Sequence, residues 1–180
     1  VDNAGLHPGS ASLGDLVRAA LSSPSSEFKR PLSSLSFALN YLATGLDPFW
    51  MKLTNLLLHL ANGVLGFILA RQVLRSTRNS AAPVTPEAMR RITFMALLIS
   101  FGWTVLPINL TAVLYVVQRM ESLANLFVLA GLIGYFAVRM RESRFATAQA
   151  VGVVLLSTAL GLAAKETAIL IPLYAFVAEL

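Results

Sequence analysis

The chain has 180 residues, 56% of them hydrophobic and 13% charged, with a formal net charge of +5 and no cysteine; its mean hydropathy is +0.69. A water-soluble fold of this length cannot hide so much apolar surface, so composition points to an all-α polytopic membrane bundle. Disulfides and thiolate metal sites are excluded, and no secretory signal peptide is visible.

In chain order, residues 1–49 carry much of the Ser, Gly, Asp and Pro and read as a loop domain outside the bilayer; residues 50–180 read as a transmembrane bundle. The sequence starts at Val1 rather than Met and stops at Leu180 within the apolar run from Ala168, so a piece of a longer chain, cut at both ends, is expected. Within the loop, Pro31 suits a first helical turn, and Leu32, Leu35, Leu39, Leu42 and Leu46 recur at alternating spacings of three and four residues. Ser33, Ser36, Asn40 and Thr44 follow a second face. This predicts an amphipathic helix over 31–46, with Gly45 at its end, lying at the interface or packed on the bundle, its polar stripe wet. Lys29 and Arg30 stand just before its start, where free backbone N–H groups and the helix dipole favour an anion such as a phosphate. The plainer reading is contact of both with lipid headgroups.

Stretches of roughly 17 to 25 mostly apolar residues can cross the hydrocarbon core as helices, where every backbone polar group must be satisfied internally. Leu53 to Ala70, Ile92 to Gln118, Ser122 to Val138 and Phe145 to Ala164 are such stretches, the second being overlong and interrupted by Pro107, and a fifth opens at Ala168. In the first, Lys52, Asn55, His59, Asn62 and Gly66 share one helical face, which predicts interhelical hydrogen bonding rather than a metal site, no second His being near. In the fourth, Ser157, Gly161 and Lys165 share a face, and Lys165 and Glu166 either snorkel, pair with each other or serve a ligand. Arg119 and Glu121 pose the same choice. Asn109-Leu110-Thr111 fits the glycosylation acceptor pattern by chance in an apolar setting.

Orientation follows from the basic residues in short connections. Arg71, Arg75, Arg78, Arg90 and Arg91 stand against Glu87 alone, and Arg139, Arg141 and Arg144 against Glu142. Both loops are expected in the cytoplasm; residues 1–49, Arg119, Glu121, Lys165 and Glu166 then lie on the far side. The positive charge is therefore a topology signal and implies no nucleic-acid partner. Charges bordering the spans on the side of the large loop suit a cavity for an anionic lipid headgroup.

The segment RPLSSLSFALNYLATGLDPFWMKLTNLLLHLANGVLGFILARQVLR, Arg30 to Arg75, resembles the region after the first outer loop of GT-C fold membrane glycosyltransferases. The likeness is to the tetratricopeptide-repeat-bearing branch related to protein O-mannosyltransferases, and Leu106 to Gly131 and Leu162 to Leu173 resemble that branch in the same order. Leu106 stands where the branch commonly has a histidine. The resemblance implies transfer of a sugar from a polyprenyl-phosphate carrier to an acceptor such as a protein, at the outer boundary of a bacterial inner membrane. No separate cofactor is implied, since the lipid-linked sugar is a substrate. By position Arg30 and Lys165 match the family's phosphate-binding cations; Lys29, Arg119, Glu121 and Glu166 are further substrate-binding candidates. The catalytic acid is expected upstream of Val1, with Asp2 a weak substitute. A transporter or flippase for a lipid-linked or anionic solute, or a non-catalytic membrane scaffold, would also place charges at such a boundary.

Overall fold

A computed structural model describes residues 4–23, 29–77, 85–141 and 144–179, and among them every regular element is helical. The α-helices are α1 (Leu13–Ala20), α2 (Pro31–Thr44), α3 (Pro48–Ser76), α4 (Pro86–Thr104), α5 (Leu110–Leu114), α6 (Arg119–Arg139), α7 (Ala146–Leu162) and α8 (Ile171–Val177). Short 3-10 turns lie at Ala4–Leu6, Pro107–Asn109, Val116–Gln118 and Glu166–Leu170. Asp2 lies outside the described residues, as do Arg78 and Glu142.

Local chemistry sets the helix starts. Ser12, Asp47 and Thr85 each occupy an N-cap and accept a backbone N–H through the side chain, from Asp15, Phe49 and Ala88 respectively. Pro48 and Pro86 follow in the first turn, where a missing N–H costs nothing. Gly45, with φ of 67°, closes α2 in the left-handed region.

The chain is a helical membrane protein. α3, with 29 residues, and the helix Val116–Arg139 are long and apolar enough to cross a bilayer. The expected second span, Ile92 to Gln118, is not one helix. α4 stops at Thr104, and the helix that resumes at Pro107 is bent from it by 53°. Proline lacks the N–H that would continue the ladder, and it disfavours helical geometry at Leu106 before it. Leu106 has ψ of 130°. α7 has 17 residues, and the segment after Lys165 opens as a 3-10 turn before α8.

Small residues bring α6, α7 and the Glu166–Leu170 turn together around buried Ala124, Ala164, Ala168 and Ile171. A Cβ on Gly131 would stand 2.5 Å from the Ser157 side chain, so this approach requires glycine. On α4, by contrast, Phe94, Leu98 and Phe101 are exposed, as expected of a surface whose solvent is lipid. The polar face expected on the first span is present. Asn55, His59 and Asn62 are buried while Lys52 is exposed. His59 Nε2 donates to the Thr104 carbonyl at 2.9 Å, and Asn62 Nδ2 donates to the Ser122 carbonyl at 2.8 Å. These bonds fix α4 and α6 against α3.

The polar stripe of α2 behaves differently from its expected wet face. Ser33 is fully buried and donates to the Ala164 carbonyl at 2.8 Å, while Leu39 is 49% exposed. Polar atoms turn inward because their partners are protein groups, and in a lipid setting the leucines lose nothing by facing outward.

Candidate functional site at the charged end of the bundle

α2 begins where α7 ends. Leu32 N donates to the Ala163 carbonyl at 2.9 Å, so the positive end of one helix dipole meets the negative end of another. The backbone groups expected to attract an anion at this N-terminus are therefore partly engaged by α7. Lys29 and Arg30 both lie at positive φ, 51° and 42°, an uncommon conformation for non-glycine residues. This turn leads the chain into α2 with Arg30 against the α7–α8 connection.

There Arg30 makes a two-pronged contact with Glu166: Nε donates to one carboxylate oxygen at 3.1 Å and a terminal nitrogen to the other at 2.9 Å. The next residue back, Lys165, pairs with Glu121 at the start of α6. Lys165 and Glu166 thus do not pair with each other. In the extended backbone at Lys165, φ −160° and ψ 151°, consecutive side chains point to opposite sides, so each reaches its own partner. Arg30, Glu121, Lys165 and Glu166 are gathered at one end of the bundle, each partly accessible. Lys29 is exposed beside them.

Arg119 is placed otherwise. It is fully buried, and no carboxylate contacts it among the described residues. Nε donates to Asn55 Oδ1 at 2.9 Å; the terminal nitrogens donate to Asn40 Oδ1 at 2.7 Å and to the carbonyls of Met51 at 3.0 Å and Ser36 at 3.3 Å. The guanidinium also lies 4.6 Å from the centre of the Phe37 ring. Its position joins α2, α3 and α6 from within.

Beside the ion pairs a polar chamber of about 290 Å³ opens between α3, α5 and α6. Glu121, His59, Asn62, Asn109, Gln118 and Asn125 line it, with Trp103. Sequence reading singled out Glu121, His59 and Asn62, but gave no role to Trp103, Gln118 or Asn125. A signal existed: Glu121, Ser122 and Asn125 share one face of α6 at helical spacing. The other wall of the chamber comes from the break after α4, which hydropathy does not reveal. Among the described residues no group of three or more His, Asp or Glu is placed to hold a metal ion.

Over 110 residues the chain is 34% identical to the protein O-mannosyl-transferase Tmtc3 of Drosophila melanogaster. The two are partial homologues. The aligned stretch is 59% of this chain and 12% of that protein, so the chain spans a small part of its relative's length. No family model matches the chain. No solved structure matches it either.

Proposed function

We propose that the chain is part of a membrane glycosyltransferase that moves a sugar from a polyprenyl-phosphate carrier to an acceptor, a protein in the reading suggested by its relative, at the non-cytoplasmic membrane boundary. The observation that carries this reading is the gathering of Arg30 and Lys165, each held by a carboxylate, at one end of the apolar bundle. A departing lipid phosphate gains negative charge as the glycosidic bond breaks, and prepositioned cations stabilise it without reorganising. Glu166 and Glu121 hold the two cations in place before the phosphate arrives. With Nε and one terminal nitrogen held by Glu166, Arg30 keeps terminal N–H donors for phosphate oxygens, while Lys165 offers a compact charge, so the two differ in role.

In the full-length protein, Arg30→Ala and Lys165→Ala are each expected to lower transfer from a polyprenyl-phosphate sugar roughly ten- to hundred-fold, the equivalent of about 1.5–3 kcal/mol for a charge-assisted bond. Arg30→Lys should fall between. Initial rates measured on protein shown to insert and fold normally decide the matter. Parental rates in both alanine variants would replace the phosphate role with headgroup anchoring for Arg30 and snorkelling for Lys165.

A further inference from the structure

The cations at the two ends of the bundle are held differently. Arg30 and Lys165 are paired with carboxylates, whereas Arg71, Arg75, Arg90 and Arg91, near the end of α3 and the start of α4, form no ion pair among the described residues. The connection between these helices carries Glu87 as its single acid, and Glu87 is exposed. Arg71 is the least accessible of the four arginines. Its Nε is buried without a hydrogen-bond partner among the described residues, and a terminal nitrogen lies 3.8 Å from the Met89 sulfur. A thioether is a weak acceptor and does not balance a guanidinium charge.

An apolar groove lies on the same face. Leu60, Val64, Phe67 and Arg71 follow one side of α3 at spacings of four, three and four residues. The first three line a depression of about 260 Å³ against Leu97 and Phe101 of α4. Its floor is a close approach of the two helices, where Ser100 donates to the Gly63 carbonyl and a Cβ on Gly63 would stand 2.7 Å from the Thr104 hydroxyl. Its walls are open, with Val64 and Leu97 both more than half exposed. Nearer the arginines, Met89, Arg90 and Thr93 line a further depression, and Leu97 borders both. From Leu60 to Arg71 the helix rises about 16 Å, and one leaflet's share of the hydrocarbon core is about 15 Å. We propose that this groove binds an anionic phospholipid, one acyl chain lying along α3 and α4 and the phosphate meeting Arg71 and Arg90. A lipid supplies the missing anion and the apolar filling together, as basic sites between spanning helices require. Arg71 stands at the opposite end of α3 from the Arg30 and Lys165 cluster, so the site does not rest on the transferase reading.

The full-length protein, stripped of lipid in detergent, would be titrated with phosphatidylglycerol and, separately, with phosphatidylcholine of the same chains, bound lipid being counted by native mass spectrometry. A saturable phosphatidylglycerol site is expected, with a midpoint at least about ten-fold below that of phosphatidylcholine. Arg71→Gln and Arg90→Gln should each raise that midpoint roughly five-fold, the effect of one basic residue at a lipid surface. Leu97→Trp, which fills the groove, should raise it as well. Arg90 and Leu97 are exposed, so their variants keep the test independent of any folding defect in Arg71→Gln. Arg141→Gln, an exposed change after α6, should leave the midpoint where it was. Equal midpoints for the two lipids, an equal loss in Arg141→Gln, or no saturable binding, as when another segment of the protein fills the groove, would overturn the proposal. So would competition by polyprenyl phosphate that Arg71→Gln weakens, since the groove would then belong to the sugar carrier.

Discussion

Arg119 shows how far a single residue's role depends on distant sequence. Its acceptors stand 64 to 83 positions away, so no local pattern could separate a ligand-binding arginine from a structural one. The polarity of Asn40 and Asn55 was legible, but their convergence on one guanidinium was not. Four of its five N–H donors are used. Arg119→Met would leave two amide oxygens and two carbonyls without this donor, and a loss of about 1–3 kcal/mol is expected for buried acceptors left unsatisfied. Thermal unfolding of the purified variant, with Arg119→Lys as the partial rescue, measures it; an unchanged melting temperature in Arg119→Met would show the cage to be inessential. Asp15 gives a titratable counterpart outside the spans. Hydrogen bonds with Ser10, then Ser12, with a lesser contribution from Arg18, hold its carboxyl below the ordinary carboxylate range. Because the folded value is depressed, its contribution is complete above the unfolded value of about 4 and is lost as pH falls through the folded one. Hydrogen exchange in α1 should therefore quicken in acid, and Asp15→Asn should flatten that dependence.

At the scale of elements, helices with a local start signal and an uninterrupted apolar run were legible. α2 begins at Pro31 and is closed by Gly45, as the sequence indicates, and α3 and α6 contain the expected apolar stretches Leu53 to Ala70 and Ser122 to Val138, extending past both ends of each. Which face of α2 turns inward was not legible, because a leucine stripe signals burial in water but carries no such meaning beside lipid. Spin labels at Ser36 and Leu39 test the corrected orientation: Leu39 should be open to a lipid-soluble quencher, and Ser36 protected from both lipid- and water-soluble ones. Water access at Ser36 but not at Leu39 would restore the wet face. The α6–α7 contact makes a sharper claim. Gly161 abuts Ala168, Phe127 and the turn that carries Lys165, so Gly161→Leu must push the turn away from α6. Overpacking typically costs 1–3 kcal/mol and should also part Lys165 from Glu121. A double-mutant cycle for that pair, run with and without Gly161→Leu, should show its coupling disappear.

Across the whole molecule, the charged groups separate to two ends, and this carries the topology. Arg30, Glu121, Lys165 and Glu166 meet at one end, where α6 starts and α7 finishes. Arg119 contacts the opening turns of α3 there as well. At the other end Arg71, late in α3, approaches Met89, early in α4, and Arg139, at the close of α6, pairs with Glu179 after α8. The antiparallel course of α3 and α4 thus puts the arginine-rich connection opposite the ion-pair cluster. The positive-inside rule predicts a cytoplasmic connection, which would send the cluster and residues 1–49 to the far side. The sequence alone supports the same polarity by counting arginines, but it cannot show that Arg30 and Glu166, 136 positions apart, share an end. With no cysteine among these 180 residues, single cysteines at Ser25, Ser80 and Ser143 can be labelled by a membrane-impermeant reagent on intact and opened vesicles, with the cysteine-free chain as background. Ser80 and Ser143 should react from one side and Ser25 only from the other. Reaction of Ser25 and Ser80 from the same side would invert or break this topology, and with it the placement of Arg30 and Lys165 at a non-cytoplasmic site.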